Sequence, residues 1–329
     1  MRNDSAKHIL STAAAAVCAL AMTVGLAACS GSGDAKASAS TSASPSSTAS
    51  SSSSSSLVQM TGIKASGEVG KKPTVTFDST PYTVPDGGYA ILQEGNGETL
   101  EEGDRICMQS VAISAKTGAE IYSSWENGTP DCAAVLDSSQ LRSGLLDVFK
   151  GQKVGMLIAM GVNDSSATDD AQKSYVMAST VVSKSRDLTR AEGDAVTDVP
   201  SNLPKVTLDG NGKPSIDING YQSDGTLVAQ PLIKGKGAQV TSSSTVVVKY
   251  TGWLLDGTQF DSSWDRNTTF QASMSGGVVT GWIEGLTGQT VGSQVLLVVP
   301  PDKGYGSTAQ GSIPANSTLV FVVDILAAY

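Results

Sequence analysis

Five short blocks in the last third of the chain carry the residue types from which a reaction site could be built. They lie at residues 248–252, 256–263, 281–286, 300–306 and 313–321, and they are rich in aromatic and aliphatic side chains. The single histidine of the 329 residues is His8. The later blocks therefore have no histidine for a catalytic triad, a metal site or general base catalysis. These residue types favour chemistry that forms no covalent intermediate and needs no cofactor.

The order and spacing of the blocks resemble the FKBP-type peptidyl-prolyl cis-trans isomerases. The blocks read Val-Lys-Tyr-Thr-Gly, Asp-Gly-Thr-Gln-Phe-Asp-Ser-Ser, Gly-Trp-Ile-Glu-Gly-Leu, Pro-Pro-Asp-Lys-Gly-Tyr-Gly and Ile-Pro-Ala-Asn-Ser-Thr-Leu-Val-Phe, within about the last 100 residues. The resemblance implies isomerisation of X-Pro bonds, whose barrier is about 18–20 kcal/mol because the planar amide must lose its resonance. A dry apolar cup could lower this barrier by binding the twisted amide more tightly than either planar form.

The resemblance also assigns roles to individual residues. It implies that Trp282 forms the floor under the proline ring, that the Tyr305 hydroxyl binds the substrate carbonyl, and that Arg266 holds the Asp261 carboxylate. The implied catalytic set is Tyr250, Phe260, Asp261, Arg266, Trp282 and Tyr305. The implied substrate-binding set is Phe270, Val278, Val279, Ile313 and Phe321.

The chain departs from the family pattern at a few positions. Ala272 stands where the family often has an aromatic residue, and the loops at 274–278 and 307–312 are short. We expect these changes at the rim of the pocket, where they would alter substrate preference and affinity for macrolides.

Each residue of the site also has an ordinary structural interpretation. Trp282 on a short helix is by default a core residue, and Asp261 with Arg266 is by default a surface ion pair worth about 0–1 kcal/mol. Two other functions stay open: a peptide-binding chaperone without turnover (a holdase), and a surface interaction module. The joint placement of all the residues favours the isomerase.

The local pattern around the blocks is that of an α+β fold. Residues 245–250, 294–299 and 318–326 are rich in Val, Ile, Leu and aromatic residues at strand length. Asp256 and Gly257 indicate a hairpin turn, and residues 279–287 have apolar residues at helical spacing. The resemblance implies a five-stranded antiparallel sheet wrapped around one short helix.

The chain also contains an internal repeat. Residues 118–125 and 144–155 are similar to residues 257–264 and 281–292, and residues 73–78 align with 204–209. The repeat predicts two tandem FKBP-like domains, at 60–186 and 203–329, joined by a charged and polar linker at 187–202. In the first copy the cup positions are replaced, which predicts a fold without the isomerase site; the replacements are Ser110, Ile121, Tyr122, Leu145 and Met177.

The N-terminus has the pattern of a bacterial lipoprotein signal. Arg2 and Lys7 precede an apolar run, and Leu-Ala-Ala leads to Cys29. We therefore predict a signal peptide at 1–28, lipidation of Cys29 and a Ser/Ala-rich disordered tether at 29–56. A membrane-spanning helix is the alternative for the apolar run. The expected location is outside the cytoplasm, attached to the cell membrane by lipid.

The net charge and the cysteines limit the kinds of binding partner and compartment that we expect. The formal net charge of -9 argues against a nucleic-acid partner, because phosphates are bound by clustered Lys and Arg. In an oxidising compartment Cys107 and Cys132 are expected to form a disulfide, with two buried free thiols as the alternative. The expected partners are polypeptides that contain X-Pro bonds and the membrane, and the resemblance adds macrolide inhibitors.

Overall fold

A computed structural model describes residues 57–329, and the chain divides into two compact units between Ser185 and Arg186. The predicted signal peptide, the lipidation site at Cys29 and the tether lie outside the described residues. Within residues 57–329, no helix combines the length and the apolar character needed to cross a membrane.

The elements of the first unit are β1 (Val58–Gln59), β2 (Ile63–Ser66), β3 (Thr74–Phe77), β4 (Gly88–Gln93), β5 (Asp104–Ser114), β6 (Glu120–Ser123), α1 (Leu145–Phe149), β7 (Leu157–Asn163) and β8 (Ser174–Arg186). The unit is built on a six-stranded sheet in the order β1-β4-β7-β8-β5-β6, and β1 runs parallel to β4. The strands β2 and β3 form a separate antiparallel hairpin.

The elements of the second unit are β9 (Asp194–Ala195), β10 (Lys205–Leu208), β11 (Pro214–Asp217), β12 (Val228–Lys234), β13 (Thr245–Leu254), β14 (Gln259–Ser262), β15 (Phe270–Ser273), α2 (Thr280–Leu286), β16 (Gln294–Val299) and β17 (Leu319–Ala328). They form a seven-stranded sheet in the order β14-β13-β17-β16-β12-β9, with β15 also paired to β13. The strands β10 and β11 form a hairpin outside this sheet. Five strands share one order in both units: β4-β7-β8-β5-β6 and β12-β16-β17-β13-β14.

The sheet of the second unit is larger than the five strands expected from the sequence. The two-residue β9 pairs with β12, and the four-residue β15 pairs with β13. Strands this short carry too few residues for an alternating pattern to be recognised in the sequence.

Alternation along the strands gives the second sheet two buried faces. On β13, Val246, Val248 and Tyr250 belong to the core cluster that contains helix α2, which we call the inner face. Trp253 belongs to a separate cluster on the opposite, outer face. Side chains two residues apart point to the same face of a strand, so the near-continuous apolar sequence of β13, β16 and β17 suits a sheet covered on both sides.

The outer face is covered by the segment that lies between β9 and β12 in the chain. The hairpin β10–β11 brings Val206 and Ile216 against this face, next to the buried Leu203 and Tyr221. The sheet residues beneath them are Trp253, Leu296, Val298, Val320 and Val322. This hairpin therefore completes the hydrophobic core of the second unit.

The linker predicted at 187–202 is wrong, because this segment is packed as part of the second unit. The amide of Leu188 donates to the carbonyl of Leu326 at 3.1 Å, and that of Ala191 donates to Oδ2 of Asp324 at 2.8 Å. Further along, β9 forms the edge of the sheet. The charged composition indicated exposure, but the backbone amides of the segment bond to the sheet whatever the side chains are.

The alignment of residues 73–78 with 204–209 is also wrong. Residues 74–77 form β3, the second strand of its hairpin, whereas residues 205–208 form β10, the first strand of the other hairpin. The strand that corresponds to β3 is β11, and a Lys-Pro pair marks the start of both, at 72–73 and 213–214.

Cys107 of β5 and Cys132 are joined by a disulfide in the first unit. It links positions 25 residues apart in the chain. The bond ties the loop after β6 to strand β5.

Candidate active site

The inner face of the second sheet brings together the aromatic residues of three separate blocks. Tyr250 lies on β13 and Phe321 on the neighbouring β17, where Phe321 is paired in register with Gly252. Trp282 lies on helix α2, which packs over this face. All three side chains are buried, with exposures of 4–7%.

The rings meet edge to face. The centroid of Trp282 lies 5.2 Å from Tyr250, 5.3 Å from Phe321 and 6.1 Å from Phe270, at interplanar angles of 85–87°. Phe260 meets Phe321 at 5.5 Å and 89°. Such pairs are favourable because the positive edge of one ring faces the negative face of the other. The result is an apolar surface whose shape is fixed by mutual packing.

Two glycines make this close packing feasible. A Cβ atom on Gly252 would lie 2.6 Å from Cζ of Phe260 and 2.9 Å from Cε1 of Phe321. A Cβ atom on Gly281 would lie 2.5 Å from Cγ1 of Val299. Any larger residue at Gly252 would push the aromatic rings apart, and one at Gly281 would lift helix α2 from the sheet.

A polar network borders the aromatic cluster. The Tyr250 hydroxyl donates to Oδ2 of Asp261, and Nη1 of Arg266 donates to Oδ1 of the same carboxylate. Nη2 of Arg266 also reaches the Tyr250 hydroxyl, at 3.4 Å. Asp261 therefore has a partner on each oxygen, and the three side chains fix one another's positions.

The network changes the pKa values of its members. Burial and the bond to Asp261 raise the pKa of Tyr250 to about 12. Burial by itself raises the pKa of the Asp261 carboxyl, but the hydrogen bonds from Arg266 and Tyr250 outweigh it, so this pKa lies below its ordinary value. At neutral pH the site therefore has a protonated tyrosine, an ionised aspartate and a charged arginine.

The predicted substrate-binding residues lie around this cluster. Ile313 is buried in the same core, and Val278 and Val279 pack against it while partly exposed. Phe270 is 37% exposed although its ring touches Tyr250 and Trp282. Aliphatic and aromatic groups thus surround Trp282.

Tyr305 is placed differently from the other predicted catalytic residues. It is 41% exposed and follows the short 3-10 helix Pro301–Lys303, outside the buried cluster. Its loop is held by backbone bonds from Gly306 to Pro301, at 2.8 Å, and from Asn316 to Gly306, at 2.7 Å. The hydroxyl is accordingly available to a molecule outside the core.

Ser263 is a site residue that the sequence prediction missed. Its Oγ accepts the Tyr250 amide at 2.9 Å, and its own amide donates to the Tyr250 carbonyl at 3.0 Å. The residue is fully buried. Its place at the end of the Phe-Asp-Ser-Ser block was the available signal, since a buried serine needs a polar partner.

The position predicted for Ala272 is wrong. We expected it at the rim of the pocket, but it is fully buried in the core cluster and paired with Val246 of β13. As the third residue of β15, it points to the inner face together with Met274. The small side chain therefore affects packing beneath the cup.

Known proteins match the part of the chain that contains this candidate site. Residues 236–326 match the family described as FKBP-type peptidyl-prolyl cis-trans isomerase. The FK506-binding protein of Neisseria meningitidis serogroup A is 39% identical over 107 residues, which cover 98% of that protein and 32% of this chain. The chain belongs to the FKBP-type peptidyl-prolyl cis-trans isomerase family.

Other members of the FKBP family match a similar stretch. The isomerase FkpA of Escherichia coli K12 is 44% identical over 100 residues, 30% of this chain and 37% of the length of FkpA. A probable FK506-binding protein of Corynebacterium glutamicum is 37% identical over 117 residues and is covered to 98%. The crystal structure of FkpA from Escherichia coli matches at 37% identity and a TM-score of 0.30, covering 37% of this chain and 51% of that one.

The first unit lies outside the residues that match the FKBP family. Ser110, which the sequence repeat aligns with Tyr250, bonds through its hydroxyl to that of Ser179 at 2.8 Å. Leu145, which the repeat aligns with Trp282, is buried in the core of the unit. A hydroxyl pair and a leucine provide neither the aromatic floor nor the carboxylate network of the second unit.

Proposed function

We propose that this protein is a peptidyl-prolyl cis-trans isomerase that acts on X-Pro bonds through its second unit. The observation that carries the proposal is the convergence of the Trp282 floor and the Tyr250–Asp261–Arg266 network on one face, within residues that match the FKBP family.

The proposed mechanism is non-covalent stabilisation of the twisted amide. Rotation about an X-Pro bond takes tens to hundreds of seconds without a catalyst. The twisted amide is less polar than the planar one, so an apolar cup around the proline ring stabilises it preferentially. Trp282 supplies the floor of this cup, and Phe260 and Phe321 supply a wall.

Polar groups at the border would orient the substrate. The Tyr305 hydroxyl is exposed and is suited to donate to a substrate carbonyl. Asp261 is held by two donors, so its carboxylate keeps one orientation beside the cup during turnover. Because these groups are positioned before the substrate binds, little reorganisation is needed in the transition state.

The first unit is proposed to be a second FKBP-like domain without an isomerase site. The shared strand order of the two units supports a tandem arrangement. The substitutions at the cup support the loss of activity, because Ser110, Tyr122 and Leu145 replace the tyrosine, the aspartate and the tryptophan.

The substrates are proposed to be exported proteins. The support is the sequence pattern at the N-terminus, where a charged start, an apolar run and Leu-Ala-Ala-Cys29 are typical of a lipoprotein signal. Lipidation of Cys29 would attach the protein to the outside of the cell membrane, with residues 29–56 as a tether. Slow X-Pro isomerisation limits the folding of many such substrates. Macrolides that bind FK506-binding proteins are proposed as inhibitors.

The test is a protease-coupled assay of X-Pro isomerisation on the full chain, with Asp261→Asn and the matched control Asp256→Asn. Asp256 lies in the exposed β13–β14 turn, so its variant should keep the wild-type rate. We expect Asp261→Asn to lower kcat/KM about tenfold. A hydrogen bond to a charged group contributes about 1.5–3 kcal/mol, and about 1.4 kcal/mol corresponds to a tenfold change in rate. A folded wild-type protein that binds X-Pro peptides without accelerating isomerisation would be a holdase instead.

A further inference from the structure

The hairpin β10–β11 contacts the loop that carries Arg266. This hairpin lies before residues 236–326, the part of the chain that matches the FKBP family. It packs on the outer face of the sheet, opposite the aromatic cup. Its turn nevertheless reaches around to residues 263–268, the loop that we call the arginine loop.

The turn of the hairpin has a fixed shape. Oδ1 of Asp209 accepts the amides of Asn211 at 2.8 Å and Lys213 at 2.9 Å. Gly212 has a φ of +93°, and a Cβ atom there would lie 3.5 Å from Cη2 of Trp264. The turn is therefore in contact with the first half of the arginine loop and aims Lys213 at it.

Lys213 forms an ion pair with Asp265, the residue directly before Arg266. The same carboxylate accepts Nε2 of Gln259 at 2.8 Å. The bond from Lys213 lowers the pKa of Asp265 most, and the bond from Gln259 lowers it as well. The nearby charge of Arg266 lowers this pKa further. Asp265 is thus ionised and within the electrostatic reach of the arginine.

Arg266 consequently has two carboxylates in its vicinity. Asp261 accepts its Nη1 in the site, and Asp265 is its neighbour in the chain. The side chain of Arg266 is 51% exposed, so packing by itself does not fix it. An arginine in this environment would be shared between the two carboxylates unless one of them were already neutralised.

We infer that Lys213 is a positioning residue, which neutralises Asp265 so that Arg266 pairs with Asp261 and supports Tyr250. The first unit offers a comparison, since its equivalent lysine, Lys72, pairs with Glu120 on β6. There the position of Arg266 is held by Asn127. Only in the second unit, which has the carboxylate network, does this lysine pair with the residue next to an arginine. This inference rests on the proposed isomerase activity.

The test uses the full chain with Lys213→Ala and the double variant Lys213→Ala with Asp265→Asn. We expect Lys213→Ala to lower kcat/KM about two- to fivefold, the effect that a partly exposed ion pair can have. In the double variant the competing carboxylate is gone, so kcat/KM should return to the wild-type value. Lys236→Ala, which breaks the exposed pair with Asp194, is the matched control and should change nothing.

The result would overturn the inference if Lys213→Ala kept full activity, or if the double variant stayed as slow as the single one. The second outcome would mean that the hairpin supports the loop mechanically and that charge competition has no part. Lys213→Arg should restore the rate, because it keeps the charge that neutralises Asp265.

A carbon-13 NMR titration of the side-chain carboxyls decides the point without turnover. We expect the pKa of Asp261 to rise in Lys213→Ala, as Arg266 is drawn to Asp265, and to return in the double variant. An unchanged Asp261 in Lys213→Ala would refute the inference. If the wild-type protein showed no isomerisation, the proposed function would fail while this titration still tested the pairing.

Discussion

The two faces of the second sheet provide a matched pair of substitutions. Trp282 on the inner face and Trp253 on the outer face are both 4% exposed, and they belong to different core clusters. Replacing each by leucine removes similar buried volume from the same unit. If the inner face is the cup, only one of the two replacements should impair isomerisation.

The loss of stability can be estimated from burial. Truncating a buried tryptophan to alanine costs about 3–5 kcal/mol, and leucine refills part of the cavity, so we expect about 2–4 kcal/mol for each variant. Trp282→Leu should lie at the upper end, because it also loses edge-to-face contacts with Tyr250, Phe321 and Phe270. A domain stability of about 5–15 kcal/mol leaves both variants mainly folded at 25 °C.

The activities should separate the two variants. We expect Trp282→Leu to reduce kcat/KM at least tenfold, which corresponds to about 1.4 kcal/mol of transition-state stabilisation. Trp253→Leu should stay within about twofold of wild type. Far-UV circular dichroism against urea gives the free energy of unfolding, and the isomerisation rate is then divided by the folded fraction. Equal losses of activity in the two folded variants would refute the assignment of the cup to the inner face.

Three further predictions concern other parts of the molecule. Because the pKa of Asp261 is lowered, its carboxylate is ionised at every pH above the ordinary carboxyl value and is neutralised only as pH falls through the lowered value. We therefore expect kcat/KM to stay constant from neutral pH down to about pH 4. A decline that begins at higher pH would contradict this reasoning. The hairpin and the segment before it cover the outer face. A fragment of residues 222–329 should therefore bind a hydrophobic dye and lack a cooperative melting transition, whereas a fragment of residues 186–329 should melt cooperatively. Equal melting of the two fragments would show that this cover is dispensable. The double variant Cys107→Ser with Cys132→Ser should destabilise the first unit by about 3.5 kcal/mol, as expected for a loop of 25 residues. Calorimetry measures this loss, and the isomerisation rate of the same samples should stay unchanged.

The central strands and the helix of the second unit could be predicted from sequence. The strand predicted at 294–299 matches β16, and the helix predicted at 279–287 contains α2 (Thr280–Leu286). The turn at Asp256 and Gly257 also forms, with φ of +87° at Gly257. These elements have long apolar runs or a glycine that accepts positive φ at little cost, so local sequence is enough to specify them.

The elements that were missed depend on distant partners. The segment 187–202 reads as a linker because its side chains are charged and polar, yet its amides bond to Leu326 and Asp324 more than 130 positions away in the chain. Likewise β15 exists only because β13 lies beside it. Backbone bonding of this kind leaves little trace in side-chain pattern.

The sequence by itself predicted which residues form the candidate site. The five ordered blocks indicated the tyrosine, the tryptophan, the aspartate and the arginine that the fold brings to one face, because each block carries its residue at a fixed place in a strand, helix or turn. Only the tertiary structure decided how these residues interact. The edge-to-face packing of Trp282, the two bonds on Asp261 and the reach of Lys213 to Asp265 join side chains from separate elements. Distances of this kind are fixed by the way the sheet, the helix and the hairpin pack, and spacing along the chain does not contain them.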